Sequence, residues 1–323
     1  MTAQTEVVDR TAEGTRSGAR SRRLGSRLWA DRWVYVFLLP TAVLFSAYTI
    51  WPIISSWYYS MLDWTGLGSD RSFIGLDNYL EAYHDPLFWS SLSITLLFVV
   101  VTVPIRVALA LAAALVLNNP RLPFARLFRT ALFVPVVTTT AIIGIVAGFV
   151  FDPGGGPVNS FLQELGIVDE PIDFLGSPHA ALATVMGVHI WKWLGITLVY
   201  WLAALQTVPT ELYEAAQVDG ASRWRAFRHI TVPLLRPFTV IIVLLTAVET
   251  LQVFDLVLTM TAGGPFFATN VTEVYIYSQA FASSSPRLGY GAALGVLFGI
   301  VTLVLALVQA VGLRYVQRTR SAT

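Results

Sequence analysis

The sequence predicts an all-α polytopic membrane protein with six transmembrane helices, and three observations carry that reading. The composition is 55% hydrophobic and 13% charged, where a soluble domain carries roughly a quarter charged residues. Six stretches reach the ~20 mostly apolar residues that a helix needs to cross a bilayer. The cationic residues also fall almost entirely on one side of the resulting topology.

The predicted spans are Trp33 to Leu62, Leu92 to Leu117, Thr130 to Phe151, Ala180 to Leu205, Phe238 to Gly264, and Leu288 to Leu313. The first is long enough to tilt, or to bend near Pro40 or Pro52. Arg106 interrupts the second, Lys192 lies in the fourth, and Glu249 and Asp255 lie in the fifth. Before the first span, residues 1–32 are rich in Arg, Ser, Thr, Gly and Ala, the composition of a disordered tail. That tail does not read as a signal peptide, because the apolar run after it is too long for one and no small-residue cleavage site follows. Residues 314–323 form a C-terminal tail.

Of the 21 Arg and Lys, seventeen lie in the N-terminal tail, in the loop with Arg121, Arg126 and Arg129, in the loop from Pro209 to Pro237, and at the C-terminus. Only Arg71 and Arg287 fall on the opposite face. The positive-inside rule therefore places both termini and the Pro209 to Pro237 loop in the cytoplasm. The outward loops are acidic, with Asp63, Asp70, Asp77, Glu81 and Asp85 in one and Asp152, Glu164, Asp169, Glu170 and Asp173 in another.

Several chemistries are excluded. The chain has no cysteine, which removes disulfides, thiol nucleophiles and Cys-ligated metals. Its histidines, at 84, 179, 189 and 229, do not have the four-residue spacing that presents a metal pair on a helix. The single lysine, Lys192, stands in the context WKW, so there is no Gly-Lys-Ser/Thr phosphate loop and no Walker A site for ATP. The Gly154 to Gly156 run lacks a nearby cation and reads as a turn after the third span. Paired acids or a nucleophile with its base, as a hydrolase requires, are not apparent.

The segment PTELYEAAQVDGASRWRAFRHITVPLLRP stands apart between two apolar runs. Its acids Glu211, Glu214 and Asp219 precede Arg223, Arg225, Arg228 and Arg236, with Gly220 where the sign changes. Two helices separated by a glycine are predicted. Thr210 is the expected cap of the first and Glu211 sits in its first turn. Gly220 supplies the left-handed residue that ends it, and Pro233 and Pro237 are expected to limit the second. Charge alone equally allows an amphipathic helix resting on anionic lipid.

The spacing is more specific than the charge. Glu214, Ala215 and Ala216, then Gly220, Ile230 and Pro233, resemble the EAA loop of permease subunits in bacterial binding-protein-dependent ABC importers, with Val232 where leucine is usual. FIGLDNY (Phe73 to Tyr79), FDLVLTMTAGGP (Phe254 to Pro265), TEVYIYSQAF and LGYGAALG resemble the carbohydrate permeases of the maltose and glycerol-phosphate type, so the likeness runs from the first span to the last. The resemblance implies a type I importer permease fold in the bacterial cytoplasmic membrane. It implies a coupling helix with Glu214, Ala215, Ala216, Asp219, Gly220 and Ala221 at a separate ATPase. The implied partners are a second permease, two ATP-binding subunits that hold ATP and Mg, and an extracytoplasmic solute-binding protein. Lipid is the surrounding medium, and no nucleic acid, metal or catalytic site is implied for this chain.

Ionisable groups inside spans tend to face the bundle or a water-filled cavity. Glu249, Gln252 and Asp255 recur every three residues on the expected fifth helix and share one face. Lys192 and Trp193 are the expected complement, with Lys192 paired to Glu249 or Asp255, and together these five residues form the candidate substrate pathway. A structural ion pair that positions helices is the competing assignment. Arg106 is expected to snorkel or to bridge to another helix. Trp51, Trp57 and Trp201 read as interface anchors. The remaining alternative is a gradient-driven secondary transporter with Glu249, Asp255 and Lys192 as a proton or ion relay.

Overall fold

A computed structural model describes residues 32–68, 70–119 and 122–320, with side chains from 33 to 312 within these ranges. The expected disordered tail over 1–32 lies outside the described residues, apart from the backbone of Arg32. The chain divides into two compact units, residues 1–58 and 59–323.

The first unit holds α1 (Arg32–Phe45), a π-turn (Ser46–Ile50) and most of α2 (Trp51–Tyr59). Pro40 sits inside α1, while the π-turn falls immediately before Trp51-Pro52. A wide turn there is the usual response to a residue that cannot donate to the preceding turn.

The second unit begins with a two-residue hairpin, β1 (Leu62–Asp63) against β2 (Ser72–Phe73), antiparallel with Leu62 opposite Phe73. Asn78 fastens α3 (Asp77–His84) to it by donating to the carbonyls of Ser60 and Leu62 at 2.9 and 3.0 Å. Then come α4 (Pro86–Leu117), α5 (Ala125–Val137), α6 (Thr140–Val150), α7 (Pro157–Glu164) and α8 (Pro178–Leu205). The expected turn at Gly154 to Gly156 leads directly into α7, with Gly156 as its N-cap and Pro157 at its first position.

The loop helices α9 (Thr210–Val218) and α10 (Arg223–Ala226) come next, then a second π-turn (Phe227–Thr231), α11 (Val232–Thr250), α12 (Phe254–Met260) and α13 (Thr272–Tyr277). A third π-turn (Ser278–Ala282) leads to α14 (Leu288–Arg320), which runs past the predicted end of the last span at Leu313.

Five helical stretches among the described residues are long and apolar enough to cross a membrane, and α5 with α6 makes a sixth if that pair, bent by 101°, is one span. Two predicted spans need correction. The fifth runs from Arg223 to Thr250 rather than from Phe238 to Gly264, and the third is a broken helix.

One apolar cluster packs α4, α8 and α11 through Val103, Ala110, Leu198, Trp201, Leu235 and Leu251. Trp201 is 1% exposed, and its indole N–H donates to the Val107 carbonyl at 3.0 Å. It is therefore a core residue rather than the expected interface anchor, since a buried indole needs an acceptor and Val107 supplies one. A second cluster joins α6, α8 and α12 through Ile143, Ala147, Val185, Leu256 and Val257.

Candidate functional site

At the charged loop, Pro209 occupies the N-cap of α9 in an extended conformation, so Thr210 is the first helical residue and not the expected cap. Glu211 does lie in the first turn, where a carboxylate suits the helix dipole. At the other end the Ala221 N–H bonds the Ala216 carbonyl at 2.8 Å and the Gly220 N–H bonds the Gln217 carbonyl at 3.1 Å. This pair of bonds is a Schellman cap, and it needs a left-handed residue, which Gly220 provides at φ +73°. Ser222 Oγ then accepts from the Arg225 N–H and starts α10.

The prolines do not limit the second helix as expected. Helical backbone continues from Arg223 to Thr250, because Pro233 directly follows the π-turn Phe227–Thr231, whose wider turn accommodates the missing donor. Pro237 lies inside α11 at the loss of one hydrogen bond. The loop is fastened to this long helix: Tyr213 packs on the core cluster of α4, α8 and α11, and its hydroxyl meets Thr231 Oγ1 at 2.8 Å. On the outer side Glu214, Ala215, Asp219 and Gly220 are exposed, with Ala216 and Ala221 partly covered. Val218 (88% exposed) and Trp224 (68%) add apolar surface beside them.

The second cluster lies among the spans. Arg106 on α4 is 1% exposed and donates to Glu249 Oε2 on α11 at 2.9 Å. The same guanidinium reaches the Thr246 carbonyl at 3.5 Å and His189 Nε2 on α8 at 3.4 Å, and His189 meets Thr250 Oγ1 at 3.4 Å. Arg106 thus bridges helices. It takes the carboxylate expected for Lys192.

Lys192 pairs with no carboxylate. The described residues contain two ion pairs, Arg106 with Glu249 and Arg287 with Glu81. Lys192 Nζ instead donates to the carbonyls of Pro135 (3.3 Å) and Thr138 (2.9 Å) and lies 4.2 Å from the centre of the Trp193 ring. The face shared by Glu249, Gln252 and Asp255 is also interrupted, because α11 ends at Thr250 and Asp255 belongs to the first turn of α12. Glu249 and Trp193 are partly exposed, and Gln252 and Asp255 are exposed. His189 was missed in the sequence, although a lone histidine in an apolar span was a usable signal.

A third polar group ties the segments outside the spans. Asp85 caps α4 by accepting the Leu87 N–H at 2.9 Å and also accepts the hydroxyls of Tyr275 (2.5 Å) and Tyr290 (2.6 Å). Burial pushes its carboxyl up, but the two tyrosines and the backbone donors outweigh that and hold it below the usual value. Nearby, Arg287 clasps both oxygens of Glu81 at 2.6 and 2.5 Å. Glu273 on α13 accepts the Phe254 N–H at the start of α12 at 3.0 Å. Burial raises its carboxyl to about 7, against that hydrogen bond and with help from the Asp255 charge.

The sequence matches, over residues 24–320, the family described as the binding-protein-dependent transport system inner membrane component. The chain belongs to that family. Its relatives include the lactose transport system permease protein LacF of Rhizobium radiobacter, 34% identical over 85% of this permease and 92% of LacF. The sulfoquinovosyl glycerol transport system permease protein SmoG of Agrobacterium fabrum is 35% identical over 91% of this permease and 92% of SmoG. Among solved structures, a bacterial ABC transporter involved in alginate import superimposes with a TM-score of 0.77, at 23% identity, over 91% of this permease and 99% of that chain. The six-span reading and the type I importer permease fold thus hold, and the protein is a multi-pass membrane component of an importer.

Proposed function

We propose that this permease forms half of the translocation path of an ATP-driven carbohydrate importer and takes its energy from a separate ATPase that docks on α9 and the Gly220 turn. The observation that carries the reading is the construction of α9: exposed on one side, closed by a Schellman cap, and tied on the other side to the base of a 28-residue helix. Ala215 and Ala216 permit close approach of a partner, Glu214 offers it an anion, and Asp219, Gly220 and Ala221 form the rim. ATP and Mg then bind in two ATPase subunits. A second permease completes the path, and a solute-binding protein delivers substrate to the acidic outward loops. Both termini lie in the cytoplasm, by the distribution of Arg and Lys.

A carbohydrate cargo is supported by the names of several relatives, which transport lactose, arabinooligosaccharides, sulfoquinovosyl glycerol and diacetylchitobiose. Glu249, Gln252, Asp255 and Trp193 offer the hydrogen bonds and aromatic face that a sugar ring uses, with Lys192 beside them. The test is reconstitution of the permease with its partner permease, ATPase and binding protein. Sugar uptake that requires ATP is expected. Uptake driven by a proton or sodium gradient without any ATPase would overturn the reading.

A further inference from the structure

The break in the third span leaves backbone carbonyls without helical partners. The bend between α5 and α6 is 101°, and Thr138, at the C-cap of α5, is extended (φ −78°, ψ 141°). The last carbonyls of any helix lack intrahelical donors, and inside a bilayer each one left unsatisfied is costly. The Thr138 carbonyl is answered by the ammonium of Lys192 from α8 at 2.9 Å, and the same ammonium reaches, at 3.3 Å, the Pro135 carbonyl that the Thr138 N–H also meets at 3.3 Å.

The electrostatics run the same way. Lys192 is 1% exposed and has no carboxylate within ion-pair distance, because Glu249 is engaged by Arg106. Its charge faces the negative end of the α5 dipole, equivalent to roughly half an elementary charge, and the face of Trp193, with the Glu249 carboxylate in electrostatic reach but outside contact. Sterics fix the same junction one turn along. Gly195 faces α5 so closely that a Cβ there would stand 2.3 Å from the Leu132 carbonyl oxygen and 2.8 Å from Phe133 Cα. Lys192 and Gly195 are three residues apart on α8 and so share a face. One is an electrostatic pin and the other a seat.

We infer that Lys192 is a positioning residue that holds the third span broken, so that transport depends on it through that bend and not through contact with the substrate. A straight span would bond the Thr138 carbonyl to the backbone N–H four residues on and take from the ammonium its nearest acceptor. The bent form sets Ile143 and Ala147 of α6 against Leu256, Val257 and Met260 of α12, the helix that begins just beyond Glu249. It also opens an apolar cavity of about 520 Å³ between the two arms, lined by Pro135, Thr138, Ile142, Val146 and Trp191. The role of the bend in transport rests on the importer reading. Its dependence on Lys192 does not.

The absence of cysteine makes the test direct. Leu127 on α5 and Phe149 on α6 are exposed, and Leu127→Cys with Phe149→Cys gives one spin-label pair for electron–electron distance measurement in the assembled transporter. At 1.5 Å per residue the two backbone sites lie about 21 Å apart across the observed bend and about 33 Å apart in a straight helix. The parent protein is expected to show the short distance alone. Lys192→Met is expected to add a longer population and to lower ATP hydrolysis by the reconstituted complex about tenfold, a coupling loss of about 1.4 kcal/mol. Lys192→Arg, which keeps the charge and the donors, is expected to restore both. If the methionine variant does not accumulate, Lys192→Gln is read in its place.

An unchanged short distance in the Met or Gln variant would overturn the inference, whether or not hydrolysis falls. A fall with the bend intact would assign Lys192 to the substrate path. Failure of the parent complex to hydrolyse ATP would defeat the importer reading and leave the distance result to decide the role of Lys192 in the bend.

Discussion

Arg106 and Glu249 show what a charge among the spans does when it is matched. The pair is buried on the arginine side and partly open on the glutamate side, so removing one partner strands the other. Arg106→Met is expected to destabilise the permease by about 3–5 kcal/mol, as for other broken buried pairs. Changing Glu249→Leu together with Arg106→Met is expected to recover most of that loss. Thermal melting of the purified protein in detergent, arranged as a double-mutant cycle, measures both, and a double variant as unstable as the single one would show that the pair is not the source of the cost. Outside the spans, Glu273 gives a pH signature. Its folded-state value of about 7 lies above the ordinary value of 4.5, so its neutral form favours the fold. That contribution is complete below about pH 4.5, declines as pH rises to about 7, and is absent above. Glu273→Gln is accordingly expected to flatten the melting temperature between pH 5 and 8, where the parent loses stability. Asp85 runs the opposite way, and its contribution is lost only in acid, as pH falls below about 3.8 through its lowered folded value. The sequence identified most of these charged residues. Their partners were not legible, because pairing across helices 143 positions apart depends on packing that hydropathy does not encode.

Among the elements, the Gly220 turn is the clearest case of local chemistry read correctly. Its left-handed backbone at φ +73° excludes a bulky residue whatever space surrounds it. Gly220→Val is expected to leave the protein in the membrane while abolishing ATPase assembly or substrate-stimulated hydrolysis, and Glu214→Lys is expected to do the same. Co-purification with the ATPase and turnover assays test this, and normal transport in both variants would remove α9 from the coupling role. Tyr213→Phe breaks the tie to Thr231 and leaves the exposed face of α9 unaltered. Its expected phenotype is normal ATPase binding with hydrolysis no longer coupled to uptake. The span boundaries were less legible than the turn. Apolar runs located the fifth span, but Leu251 and Val253 are as apolar as the residues before them, so nothing in the hydropathy marked the break at Thr250. The start was misplaced for the opposite reason, since prolines that ordinarily end helices are here tolerated just after a π-turn and inside α11. In the third span only Pro135 and the Thr138 to Thr140 run hinted at the bend, whose acceptor-to-lysine bonds come from another helix.

For the whole molecule, the distribution of cations predicts one topology. With no cysteine to remove, single cysteines introduced at Asp169 and at Glu214 are expected to react with a membrane-impermeant maleimide from opposite sides of the membrane, Asp169 from outside. Labelling of both from the same side would refute the orientation. The family, the six-span count and the charged loop were all legible because composition and motif spacing are properties of the linear chain. The features that were not legible belong to the folded chain: which helix bends, and which lysine faces the bend.

The unbroken helical run from Arg223 to Thr250 also has a mechanical meaning. At 1.5 Å per residue it is a rod about 42 Å long, gripped at Thr231 by Tyr213 and carrying Glu249 about 27 Å further on. A tilt of about 8° about the gripped point would sweep Glu249 through about 4 Å by that lever arm. This exceeds the 2.9 Å contact between Arg106 and Glu249, so a small angular stroke at the membrane surface is geometrically enough to separate a pair of charges in the bilayer interior.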